Sequence, residues 1–154
     1  LPADQLVAKA IAEKHLKSIL SKKEYAIVHE ILTDIDDLLT EDLQVSFIHN
    51  DIYSRHLIWV QDAHHLGIID FSDMCLGDPA VDFAELYEYG ANFVNSVYRL
   101  YTGPKDDTFL ERAWKYQRWA GVYMMIDHFE SSKTSFDVAK ETFNNVENGS
   151  LLQQ

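Results

Sequence analysis

The stretch HNDIYSRHLIWVQDAHHLGIIDF runs from His49 to Phe71. His49 stands two positions before Asp51, His56 follows five later, and Asp70 closes the next apolar run. Such residues can form a polar turn between core strands, or they can hold a metal nucleotide. Phosphoryl transfer from a nucleotide asks little covalent work of a protein. It needs a carboxylate to orient and deprotonate the attacking hydroxyl, and ligands that keep magnesium on the phosphates. Asp51 follows a strand-like run and opens a loop, which suits the first role. Asp70 ends another such run, where a side chain projects from a rigid platform, and suits the second. His56 precedes the strand leading to Asp70 and can point into the same space.

The elements around these residues follow from periodicity. Residues 4–20 are rich in Ala, Lys, Leu and Glu, lack Gly and Pro, and read as helix. After a polar break at Ser21 to Lys23, apolar residues at Val28, Ile31, Leu32, Ile35, Leu38 and Leu39 mark one buried helical stripe. Val45 to Ile48, Leu57 to Val60 and Leu66 to Ile69 are short apolar runs between polar turns, the pattern of short buried strands. Ala80 to Gly90 reads as helix behind Pro79, with Asp78 as its N-cap. Helices over 92–101, 109–130 and 135–146 follow, with TGPKDD as the clearest loop. The expected fold is mainly α with a small β-hairpin insert, and every unusual polar residue falls in or beside that insert.

At 154 residues the chain has the length of a single domain, 1–154, able to close one core. The net charge of -12, from 25 acidic against 13 basic residues, argues against nucleic acid or an anionic membrane as partner. It suits a cationic small molecule, although a solvated acidic surface has the same sign. The single Cys75 cannot close an intrachain disulfide, and no run approaches the ~20 apolar residues of a membrane span. Both point to a cytoplasmic location.

HNDIYSRHL resembles the catalytic loop of the aminoglycoside phosphotransferase family, written H-G-D-x-x-x-x-N. GIIDFSDMCLGDPAVDFAEL resembles that family's metal-binding strand and the helix after it. The two motifs occur in order, joined by a hairpin-length segment, over residues 47–90. The resemblance implies the helical C-terminal lobe of a protein-kinase-like α+β fold, with Mg2+ and either ATP or GTP as phosphate donor. It implies that Asp51 is the catalytic base and that Asp70, with His56, holds the metal nucleotide. It also implies that His49 bonds backbone groups to hold Asp51 in place, and that Asp82 braces the loop from the helix behind it.

Two departures are informative. Asn50 replaces the family glycine, and His56 replaces the family asparagine. This H-N-D and D-x-x-x-x-H arrangement is similar to the branch that phosphorylates the 2''-hydroxyl of aminoglycosides. Magnesium prefers oxygen donors, so His56 should hold it less well than an amide oxygen. Arg55, His64 and His65 read as exposed, Asp73 as a turn residue, and Trp114, Trp119 and Tyr123 as core rather than a sugar platform.

Glu85 and Glu88, on the acidic segment after the metal motif, are the candidates for binding a cationic acceptor. Nothing in the chain reads as the N-terminal lobe that holds the nucleotide, and no Gly-rich loop occurs. We therefore expect that lobe to be supplied by the rest of a longer polypeptide, and this portion alone to turn over little. The leading expectation is an O-phosphotransferase acting on the hydroxyl of an aminoglycoside. The alternatives are a related kinase of choline, a macrolide, homoserine or another hydroxyl metabolite, and a non-catalytic kinase-like relic.

Overall fold

The computed structural model describes residues 2–131 and 133–149. Helices dominate, with two small antiparallel sheets, and the chain divides into two compact units.

The first unit comprises Leu1–Asp42 and Lys115–Ser150. α1 (Pro2–Ile11) runs through a π-helical turn, Ala12–Leu16, into the short α2 (Lys17–Ile19). α3 (Lys22–Leu38) starts two residues earlier than the polar break suggests, because Ser21 is its N-cap. The Ser21 Oγ accepts the Glu24 N–H at 3.2 Å, and the Glu24 carboxylate accepts the Ser21 N–H at 2.7 Å. Such a reciprocal cap is worth ~1 kcal/mol. The stripe of Val28, Ile31, Leu32, Ile35 and Leu38 is buried as expected, but Leu39 lies past the helix end and is 40% exposed.

Val28, Ile31 and Leu32 pack with Leu16, Val122, Met125, Ile126, Ala139 and Phe143. The last five come from α6 (Phe109–Glu130) and α7 (Phe136–Glu147). Gly121 permits the close approach of these two helices, since a Cβ there would sit 3.0 Å from the Phe143 Cα. Arg118 clamps Glu147 with two bonds of 2.8 and 3.0 Å and reaches Glu30 at 2.8 Å, tying α6 to α7 and α3.

The second unit, Leu43–Trp114, carries every candidate site residue. β1 (Ser46–Ile48) pairs with β4 (Cys75–Gly77), and β2 (Leu57–Val60) pairs with β3 (His65–Ile68) as a hairpin turned by His64 in the left-handed region at φ 49°. β4 was not anticipated: three residues ending in glycine show no alternation to read.

The strands are also less buried than their apolar runs suggest. A two-stranded sheet has two faces, and among the described strand residues only Ile48 is buried, while Phe47 and Leu76, paired across the other face, are 74% and 64% exposed. Trp59 on the hairpin is 60% exposed.

Beyond β4, the expected helix over 80–90 is α only at α4 (Val81–Ala84) and tightens to a 3-10 segment, Glu85–Tyr89. The run stops at Gly90, whose φ of 87° favours glycine. α5 (Ala91–Leu100) and the start of α6 complete the unit. Phe83 meets Phe109 edge-on at 4.9 Å in its core, and Tyr87 meets Trp114 at 5.0 Å.

The N-cap of α4 is Ala80 and not Asp78 as expected; Asp78 stands two residues before it and turns the chain, its Oδ1 accepting the Ala80 N–H at 3.1 Å. The same buried carboxylate receives Arg112, Nε to Oδ2 at 2.8 Å and Nη2 to Oδ1 at 3.2 Å. Arg112 also reaches Asp106 at 2.8 Å, and this bond holds the Asp106 carboxyl well below the usual carboxylate range.

Candidate functional site

The loop after β1 is shaped by Asp82. Its two carboxylate oxygens accept the backbone N–H groups of His49 at 2.9 Å and Asn50 at 2.8 Å. Asn50 has φ 64°, a left-handed conformation in which asparagine is among the few tolerated side chains. That conformation accounts for a glycine in the motif it departs from. The chain then turns through Asp51 into the 3-10 segment Ser54–His56 and enters β2.

His56 is buried and held on both sides. Its Nδ1 lies 2.6 Å from the Asp51 backbone carbonyl, and its Nε2 lies 3.6 Å from Asp70 Oδ2. A carbonyl only accepts, so Nδ1 is the donor, and in the neutral ring Nε2 carries the free lone pair. The Asp51 carboxylate Oδ2 lies 3.4 Å from Nδ1, and the edge of Tyr53 covers the imidazole at 4.4 Å. The structure thus brings His56, Asp51 and Asp70 into one cluster.

Asp70 is another left-handed residue, at φ 62°. The Ser72 hydroxyl donates to Asp70 Oδ1 at 2.9 Å and lies 3.3 Å from Asp73 Oδ2. The Ser72 hydroxyl and backbone N–H together lower the Asp70 carboxyl below its ordinary value, with smaller help from His56 and His49.

His49 is buried and bonds a backbone group: Nε2 donates to the Ile69 carbonyl at 2.9 Å, so it ties the end of β1 to the residue before Asp70. Its Nδ1 is a buried acceptor that finds no hydrogen bond, with the Phe71 ring at 4.7 Å.

Glu85 is half-buried and its carboxyl is pushed up, first by burial and then by the charges of Glu88 and Asp51. Glu88 is exposed, as are Arg55, His64, His65 and Cys75. Sequence reasoning passed over Ser72 and Arg112; a serine between two aspartates was visible, whereas no local pattern links Arg112 to Asp78.

A family model described as the phosphotransferase enzyme family matches residues 2–121. The chain belongs to this phosphotransferase family. Among solved structures, it is similar to the GDP complex of wild-type aminoglycoside 2'-phosphotransferase-IIIa, with a TM-score of 0.80 and 17% identity over 97% of this chain and 52% of that one. A point mutant of the same enzyme, also as its GDP complex, gives 0.75 and 19% over 97% and 51%. The chain spans about half the length of the solved structures it matches. No curated protein matches it. The fold is therefore that of the helical lobe of a phosphotransferase of kinase-like architecture, and no helix among the described residues is long and apolar enough to cross a membrane.

Donor chemistry in this phosphotransferase lobe fits a divalent cation. Asp70 Oδ2 and the His56 Nε2 lone pair face each other, and among the described residues no group of three or more ligating side chains forms a cage. Magnesium is commonly held by one or two protein carboxylates together with substrate phosphates, so the Asp70 carboxylate suits it, while the His56 nitrogen is the weaker donor.

Proposed function

We propose that the protein transfers the γ-phosphate of ATP or GTP to a hydroxyl of a small cationic acceptor, an aminoglycoside being the first choice. The observation that carries this reading is the His56 ring. Its Nδ1 proton is committed to the Asp51 backbone carbonyl, and its Nε2 faces the Asp70 carboxylate at 3.6 Å, so one buried side chain stands between the residue offered as base and the residue offered as cation ligand. In this reading Asp51 accepts the proton of the attacking hydroxyl as its oxygen bonds to the γ-phosphorus, while the bond from that phosphorus to the bridging oxygen breaks and releases the nucleoside diphosphate. Asp70 and His56 would hold Mg2+, whose charge neutralises the phosphate oxygens. Asp82 keeps the loop in place, and Glu85 and Glu88 attract ammonium groups of the acceptor.

The reading includes a second lobe of the same polypeptide to hold the nucleotide, and action in the cytoplasm on a small molecule rather than on nucleic acid or membrane. GDP is named in both similar solved structures, which makes GTP the first donor to test. One observation favours a quaternary ammonium such as choline as the second acceptor to test. Tyr89 and Phe93, both exposed, lie 5.0 Å apart next to Glu88, and aromatic faces attract such cations.

The deciding assay incubates the full-length polypeptide with Mg2+ and GTP or ATP, offers aminoglycosides, choline and a macrolide, and follows product mass. Phosphorylated aminoglycoside that disappears in Asp51→Asn supports the assignment. An active Asp51→Asn enzyme would remove Asp51 as the base, and absence of transfer to every acceptor would remove the aminoglycoside reading.

A further inference from the structure

We propose that Ser72 is a positioning residue that turns the Asp70 carboxylate toward the cation. The inference rests on the phosphotransferase reading above. A serine hydroxyl has one hydrogen to donate. Two carboxylates compete for it, Asp70 Oδ1 at 2.9 Å and Asp73 Oδ2 at 3.3 Å, and the shorter bond goes to Asp70. With Oδ1 fixed, Oδ2 is the oxygen left facing His56 Nε2 at 3.6 Å.

Asp70 needs this help because it is exposed, so its side chain is held by the bonds from Ser72 rather than by packing. Loss of the hydroxyl would let the carboxylate swing, and would leave two acids near each other with no hydrogen between them. Hydrogen-bond partners of metal ligands commonly contribute ~10–100-fold in metal affinity. Because the Ser72 backbone N–H also bonds Asp70 and survives substitution, the expected effect lies at the lower end, about tenfold.

The test measures retention of Mn2+ by the full-length polypeptide in saturating GDP, read from the electron paramagnetic resonance of free Mn2+, together with the Mg2+ dependence of transfer. Ser72→Ala and Ser72→Gly should weaken Mn2+ binding about tenfold and raise the Mg2+ concentration needed for half-maximal rate. The rate at saturating Mg2+ should stay within about twofold. Ser72→Thr, which keeps the hydroxyl, should restore binding, and Asp73→Ala, which removes the competing acceptor, should bind as tightly as wild type or tighter. Wild-type Mn2+ affinity in both Ser72→Ala and Ser72→Gly would overturn the proposal, as would equal weakening by Asp73→Ala. Failure of the wild type itself to retain Mn2+ would overturn the phosphotransferase reading, and this inference with it.

Discussion

Arg112 meets Asp78 in a two-pronged, buried ion pair, Nε to Oδ2 at 2.8 Å and Nη2 to Oδ1 at 3.2 Å. Removing one partner of such a pair leaves an uncompensated buried charge and costs about 3–5 kcal/mol, whereas replacing both with apolar residues costs far less. Arg112→Met should therefore lower the urea midpoint sharply, and Asp78→Leu together with Arg112→Met should recover much of it. Equal loss in the single and double variants would show that the pair contributes little.

The left-handed backbone at Asn50 gives a second prediction. Asn50→Gly should leave stability unchanged or slightly raised, while Asn50→Val, β-branched in a strained region, should cost about 1–3 kcal/mol. Thermal melts of the two variants decide the matter.

Asp82 grips two consecutive N–H groups, and the amide of Asp82→Asn would turn a donor against one of them. The loop should shift enough to misplace Asp51. A displacement of about 1 Å in a reacting group can cost ~100-fold in rate, so the loss should appear in kcat with little change in nucleotide KM. A variant with normal kcat would show that the loop holds itself.

Glu85 predicts a pH dependence. Burial, Glu88 and Asp51 raise its carboxyl above the ordinary 4.5, so the folded state disfavours its charge. The penalty is absent below the unfolded value and grows as pH rises through the folded one. Glu85→Gln should be more stable than wild type at pH 7, with the gain vanishing near pH 4 and below. It should also bind a cationic acceptor up to about fivefold more weakly, the worth of a half-exposed ion pair of ~1 kcal/mol. Melts at the two pH values and acceptor titration test both halves.

Much of the helical framework was legible because burial imposes a period: Val28, Ile31, Leu32, Ile35 and Leu38 announce their shared face. The gathering of Asp51, His56 and Asp70 was legible too, since a hairpin must return the chain to where it left. Arg112 and Asp78 were not, because they lie 34 residues apart and nothing local in either segment signals the other. Strand exposure was hidden for a related reason. A run such as LIWV states that its residues are apolar, not how many faces of its sheet find cover. Asp73 was readable as a turn residue and Ser72 was passed over, because its choice between two carboxylates depends on where the backbone aims Asp70.

The bare Phe47–Leu76 face and the formal charge of -12 act in opposition whenever two copies of this protein meet. Apolar contact draws them together, and mutual repulsion keeps them apart. That repulsion extends ~10 Å at 0.1 M ionic strength but only ~3 Å at 1 M. Raising the ionic strength therefore shortens the repulsion and leaves the apolar contact the larger say in whether two copies meet.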